Sequence, residues 1–196
     1  FKDFSGKIDS NIKVSGNFLT QEIETYSVID ILEGRLKYLD IDEYINITGG
    51  KIFANDTGIV MENITGNVCN SPFKLHGEVS YFGLKNEKSD IVFNTKNLDI
   101  KNVSKIINTE LLTEEVSSLL SQISFLEGNI DVYSEVINKN PQTVISFYDT
   151  KLKYLPTDDE IDANSGKMFF SEDTLGFDNI DIDLKNSSYI ATGNIK

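Results

Sequence analysis

The chain repeats itself, and that constrains its fold more than any other feature. Residues 36–79 align with residues 152–195 without a gap, at a constant offset of 116. Leu36-Lys37-Tyr38-Leu39 returns as Leu152-Lys153-Tyr154-Leu155. Asp42, Ile45, Gly50, Lys51, Phe53, Asn63, Ile64, Asn70, Ser71 and Gly77 recur as Asp158, Ile161, Gly166, Lys167, Phe169, Asn179, Ile180, Asn186, Ser187 and Gly193. These are 14 identities in 44 aligned positions, against about 3 expected from common residue frequencies. Apolar character is kept at Ile52/Met168, Ile59/Leu175, Met61/Phe177, Val68/Leu184, Phe73/Tyr189 and Val79/Ile195. A fixed period implies stacked structural units, which build an extended surface more readily than a compact catalytic pocket.

Between and within the copies the pattern is that of short strands. Phe73, Leu75, Gly77, Val79 and Tyr81 alternate with Lys74, His76, Glu78 and Ser80; Ile180, Ile182 and Leu184 alternate with Asp181, Asp183 and Lys185. Ile8, Ser10 and Ile12 alternate with Asp9, Asn11 and Lys13, and Ile130 and Val132 with Asp131 and Tyr133. A side-chain period of two marks a sheet with unlike faces. In Asp90–Lys101 the apolar parity switches from Ile91 and Phe93 to Leu98 and Ile100, which predicts a bend or bulge near Thr95–Asn97. Gly49-Gly50, Asn55-Asp56-Thr57-Gly58, Gly66-Asn67, Asn70-Ser71-Pro72, Asn140-Pro141 and Ser165-Gly166 read as turns. One segment differs: Thr113 as N-cap, Glu114 and Glu115, then Val116, Leu119, Leu120 and Ile123 at helical spacing predict a short helix over 113–123. A weaker helical turn is expected over Val103–Ile107. No linker-like stretch divides the chain, so residues 1–196 read as a single segment of a larger repeat protein, with no membrane span or signal peptide of its own.

Composition narrows function. A net charge of −13 leaves no basic stripe for nucleic acid or for docking on an anionic membrane. Cys69 is the one cysteine, so no internal disulfide forms, and His76 is the one histidine. His76 stands on the polar face of its strand and its repeat counterpart is Thr192, which speaks for a solvated histidine. The acids at Asp40-Asp42-Glu43, Asp158-Asp159-Glu160 and Asp178-Asp181-Asp183 lack the alternating ligands and glycine of a calcium loop. Five Asn-x-Ser/Thr triplets occur in a chain rich in those residues. No phosphate loop, dinucleotide fingerprint, nucleophile elbow or metal-ligand pair is present. The expectation is a non-enzyme without catalytic residues, metal or cofactor.

The runs Ile47-Thr-Gly-Gly-Lys-Ile-Phe-Ala-Asn-Asp, Ile59-Val-Met-Glu-Asn-Ile-Thr-Gly-Asn-Val and Ser71-Pro-Phe-Lys-Leu-His-Gly-Glu-Val, followed by Asp90–Val103, resemble the repeats of the AsmA-like family, the group that includes TamB and YhdP. The second copy, Gly166–Ile195, departs from it by placing Ile182 where Gly66 stands in the first. The resemblance implies a mainly β architecture: an elongated, curved antiparallel sheet, the β-taco, open along one side. Its apolar concave face would hold phospholipid acyl chains. The parent protein would be anchored in the bacterial inner membrane, reach through the periplasm and serve outer-membrane biogenesis. The expected lining is Ile52, Phe73, Leu75, Val79, Tyr81, Ile91, Phe93, Ile180, Ile182, Leu184, Tyr189 and Ile195. Two alternatives stand beside it. One is a structural or adhesive β-repeat module with a dry core. The other is a carbohydrate-acting or carbohydrate-binding β protein, for which Tyr148, Tyr154 and Asp158–Glu160 are the candidates.

Overall fold

The computed structural model describes residues 3–17, 22–37, 44–81, 85–102, 118, 121–171 and 174–195. Among the described residues eleven strands follow in chain order: β1 Asp3–Asn17, β2 Glu22–Lys37, β3 Tyr44–Asn55, β4 Gly58–Val68, β5 Ser71–Ser80, β6 Lys88–Asp99, β7 Ile123–Ile137, β8 Asn140–Tyr154, β9 Asp159–Phe170, β10 Leu175–Leu184 and β11 Ser187–Ile195. Every strand pairs antiparallel with its neighbours in sequence, giving one open eleven-stranded sheet whose edges are β1 and β11. The mainly β, antiparallel expectation is met. A 3₁₀ turn at Ile100–Asn102 follows β6.

Most of the helix expected over 113–123 falls outside the described residues. Ser118 and Ser121 are helical, and the Ser121 hydroxyl donates to the Ser118 carbonyl at 2.7 Å. Ile123, the last residue of the proposed stripe, is instead the first of β7 and pairs with Tyr154. The turn expected over Val103–Ile107 also lies outside the described residues.

Local chemistry explains the hairpins. In the β3–β4 turn, the Asn55 side-chain oxygen accepts from the amides of Thr57 and Gly58 and from the Thr57 hydroxyl, at 2.8–2.9 Å, an Asx turn. Cys69–Asn70 and Asn138–Lys139 have positive φ at both residues, the two-residue hairpin turn whose twist matches the flanking strands.

Of the pairs predicted as turns, Asn140-Pro141 opens β8 just after the Asn138–Lys139 turn, and three lie well inside strands: Gly49-Gly50 in β3, Gly66-Asn67 in β4 and Ser165-Gly166 in β9. Gly50, Gly66 and Gly166 serve close approach between strands. Gly50 and Gly166 have φ of 145° and 146°, open only to glycine at low cost. A Cβ on Gly66 would fall 2.0 Å from the Asn46 carbonyl oxygen.

The sequence repeat is a structural one. Residues β3–β4–β5 and β9–β10–β11 occupy equivalent positions at the same offset. Asn63 (φ 49°) in β4 and Asn179 (φ 47°) in β10 hold equivalent left-handed bulges, where the register slips between Met61 and Ile64 and between Phe177 and Ile180. The bulge expected near Thr95–Asn97 is present as well: Asn97 is left-handed (φ 55°), its amide donates to Asp131 at 2.8 Å, and the β6–β7 register shifts between Thr95 and Leu98. Bulges bend and twist the strands that carry them, and a sheet of this many strands curls rather than staying flat.

Burial is one-sided and central. Ile64, Val68, Phe73, Leu98, Ile100, Ile130, Phe147, Ala163 and Ile180 form one buried apolar cluster. Ile130 is 1% exposed and Ile100 0%. A flat single layer leaves both faces in water, so burial this deep means that the apolar face is enclosed at the middle of the sheet. Toward β1 it opens: Ile8 is 54% exposed and Ile12 66%.

Candidate functional site

The candidate site is the apolar face, and cross-strand pairing shows how it is assembled. One row runs through nine strands without interruption: Ile47 opposite Gly66, Gly66 opposite Phe73, Phe73 opposite Thr95, Thr95 opposite Val132, Val132 opposite Ile145, Ile145 opposite Met168, Met168 opposite Phe177 and Phe177 opposite Gly193. The row carries no charged residue. Beside it Ile64, Leu75 and Phe93 face one another across β4, β5 and β6, and the Phe73 and Phe93 rings stack with centroids 5.7 Å apart. Polar side chains on this face are satisfied: the Thr95 hydroxyl donates to the Pro72 carbonyl at 2.8 Å, and the buried Thr150 hydroxyl reaches the Tyr148 carbonyl at 3.3 Å.

Ile52, Phe73, Leu75, Phe93, Ile180 and Ile182, all expected lining residues, belong to the apolar cluster or pack against it. Val79, Ile91 and Leu184 are half-buried at alternate positions of the same strands. Tyr81 lies just beyond the end of β5 in left-handed backbone (φ 56°) and is exposed. Tyr189 pairs with Ile182 but is 53% exposed on the edge strand. Ile195 pairs with Leu175 at the end of β11. The expected list omitted Val132, Ile145, Phe147, Met168 and Phe177, which carry the face across β7–β10. Met168 and Phe177 were legible as the repeat partners of Ile52 and Met61, and Ile145-Ser146-Phe147 as alternation.

A cleft of about 510 Å³ lies where β8–β11 end, lined by Val144, Phe169, Phe170, Gly176, Phe177 and Gly193 among others, a size typical of small-ligand sites.

The reverse face carries cross-strand ion pairs. Lys51 meets Asp30 at 3.2 Å, Lys151 meets Glu127 at 3.3 Å and Asp162 at 3.8 Å, and Lys7 meets Glu33 at 2.9 Å. Such exposed pairs contribute little stability each, yet they keep this face wetted and select the register. Glu127, foremost, and Asp162 raise the Lys151 pKa; Asp158 raises that of Lys153, and Glu33 that of Lys7. The Asp56 carboxyl accepts from the Thr25 hydroxyl and amide, which lowers its pKa. Lys185 and then Thr157 lower that of Asp159; the Ser188 hydroxyl and then Asn164 lower that of Asp183.

Of the carbohydrate candidates, Tyr154 stands directly across from Asp159, whereas Tyr148 lies further along β8 opposite Ser165. Asp158 holds Lys153 at 2.7 Å, Asp159 holds Lys185 at 2.9 Å, and the Tyr154 hydroxyl donates to Gln122 at 3.1 Å. His76 is exposed opposite Val92. Cys69 is a buried turn residue. Among the described residues no group of three His, Cys, Asp or Glu side chains gathers to hold a metal, and no helix is long and apolar enough to cross a membrane. Asp40, Asp42 and Glu43 lie outside the described residues.

No family model, curated protein or solved structure matches the chain.

Proposed function

We propose that this chain is a non-enzymatic segment of a protein that carries lipid between membranes of a cell envelope, with phospholipid acyl chains lying on the apolar face of the sheet. The observation that carries the reading is the uncharged row from Ile47 to Gly193, continuous through nine strands. Where the row is only half-buried, at Ile47, Val132, Ile145, Met168 and Phe177, it offers an acyl chain apolar contact worth about 0.8 kcal/mol for each methylene removed from water, and moving a lipid along it needs no catalytic group. The apolar cleft at the β8–β11 end and the ion-paired reverse face favour the same reading. The periplasmic setting, the inner-membrane anchor of the parent protein and a role in outer-membrane biogenesis rest on the AsmA-like resemblance alone.

A second reading, a structural or adhesive module with a dry core, draws on the near-complete burial of Ile130, Phe147 and Ala163. Native mass spectrometry with lipid extraction separates the two. The lipid reading expects phospholipid bound beyond that on an equally acidic control protein, and its loss in Leu75→Asp and Val79→Asp variants that keep their β circular dichroism. A clean apo mass, or variants that simply unfold, would put the dry core first.

A further inference from the structure

We propose that the phosphate of a lipid headgroup docks between Lys88 and Lys139, at the rim where the β5–β6 and β7–β8 turns lie side by side, an inference that rests on the lipid reading above. The two rims of the apolar face differ. Across β4–β8, Val68, Phe73, Leu98, Ile130 and Phe147 are at most 5% exposed, all toward the rim that carries the β4–β5 turn and the 3₁₀ turn. Toward the other ends of the same strands Ile59, Val79, Ile91, Val136 and Ile145 are only half-buried. A polar headgroup keeps its water or finds hydrogen-bond partners, so a lipid whose chains lie on this face turns its headgroup to the half-buried rim.

That rim gathers cations in an acidic chain. Residues 81–88 and 138–139, which form its two central turns, hold Lys85, Lys88 and Lys139 against one acid, Glu87, although the whole chain carries −13. The amides of Asn138 and Lys139 donate to the Ser89 carbonyl and hydroxyl, at 2.6 and 3.0 Å, and so tie the β7–β8 turn to the start of β6. Asp90 pairs with Ile137, and two residues further along the same register Lys88 stands across from Lys139. Like charges in that relation repel. Glu87 meets Lys139 at 3.3 Å but leaves it 62% exposed, and Lys88 is exposed as well. Lys88 is the first residue of β6, where its flexible four-carbon stem can carry the ammonium to the rim. A phosphate between the two lysines removes the repulsion and accepts charge-assisted hydrogen bonds from both. On the apolar face at this rim Ile91 stands across from Val136, and Val79 across from Ser89, a floor on which the acyl chains begin. The nearest acids, Glu78 and Asp90, pair with each other on the reverse face, which favours a headgroup whose phosphate is followed by a cation.

The test is exchange of the 196-residue chain with vesicles of dioleoyl phosphatidylcholine that contain dioleoylglycerol, which has the same chains and no phosphate. Native mass spectrometry then reads what is bound. Phosphatidylcholine should exceed dioleoylglycerol about 10-fold beyond the vesicle ratio. In a Lys88→Gln, Lys139→Gln double variant that preference should vanish while dioleoylglycerol binding persists. Lys101→Gln with Lys153→Gln, toward the buried rim, should leave the preference intact. Lys88→Gln alone should raise the melting temperature of the lipid-free chain by relieving the cross-strand repulsion; a fall would make Lys88 a structural residue and overturn the inference. Millimolar inorganic phosphate should not displace the lipid, and displacement would make this a site for free phosphate instead. A chain that binds neither lipid refutes the lipid reading itself, and the headgroup site with it. Binding of both lipids in the vesicle ratio, or a preference that survives the double variant, overturns the headgroup site alone.

Discussion

Gly50 lies directly against Ile64: a Cβ on the glycine would stand 2.7 Å from the Ile64 Cα. The relationship returns 116 residues later, where a Cβ on Gly166 would stand 2.5 Å from the Ile180 Cα. A third instance has no counterpart in the aligned repeat. Gly128 (φ 119°) lies against Thr150, the residue after left-handed Asp149 (φ 45°), again at 2.5 Å. In each case a glycine on one strand faces the residue that follows a left-handed Asn or Asp on the next. The pair bends the sheet at a point where the ladder shifts register.

Alanine at Gly50 or Gly166 should therefore cost about 1–3 kcal/mol from backbone strain alone, and more because the clash is with a neighbouring main chain. Gly193→Ala, with open space around it, should be neutral or slightly stabilising. Urea denaturation of the three variants checks this. Equal midpoints for Gly50→Ala and Gly193→Ala would remove the bulge argument.

The asparagines at the bulges invite the opposite change. Asn63→Gly and Asn179→Gly keep the left-handed conformation and should shift stability little, whereas Asn63→Ala and Asn179→Ala should each cost about 1–2 kcal/mol. At position 179 the backbone amide also donates to the Thr192 hydroxyl at 3.2 Å, so Thr192→Val should add to the loss. Thermal melts of the five variants rank these effects.

Packing should be strongest at the centre of the sheet. Ile130→Ala, at a residue 1% exposed, should cost about 2–5 kcal/mol. Ile12→Ala, 66% exposed on β1, should fall within about 0.5 kcal/mol of wild type. Guanidinium unfolding curves with matched slopes give both numbers. A large effect at Ile12 would mean that the face is buried at the β1 edge too.

Acid should weaken the sheet through its hydrogen-bonded carboxylates. Asp56, Asp159 and Asp183 all have folded pKa values below the ordinary 3.8. A depressed folded value contributes stability that is present above the unfolded pKa and lost as pH falls through the folded one. The window thus begins near pH 4 and extends downward. Relief of repulsion among the excess acids acts the other way, so the informative quantity is a difference between variants. Melting temperatures of Asp56→Asn and wild type should converge as pH falls from 7 to 3. Parallel curves would show that the Thr25–Asp56 contact contributes nothing.

Much of this was legible in the residues. Alternation at Phe73–Val79 and Ile180–Leu184, the offset of 116 and the parity switch after Phe93 are local facts, because strand side chains point alternately to two faces and an extra residue reverses the parity. They determined the strand-rich fold, the apolar face at those positions, the bulge at Asn97 and the equivalence of β3–β5 with β9–β11. Other features waited for the tertiary structure. Gly49-Gly50, Gly66-Asn67 and Ser165-Gly166 have the composition of turns, and only the strand lying across from each makes the glycine a point of close approach. The Gly128–Asp149 device joins residues on two strands with no repeat to reveal it. That the face is enclosed at Ile130 and open at Ile12 depends on which strands stand beside which. Periodicity specifies the direction of each side chain, but burial is a sum over neighbours that only the assembled sheet supplies.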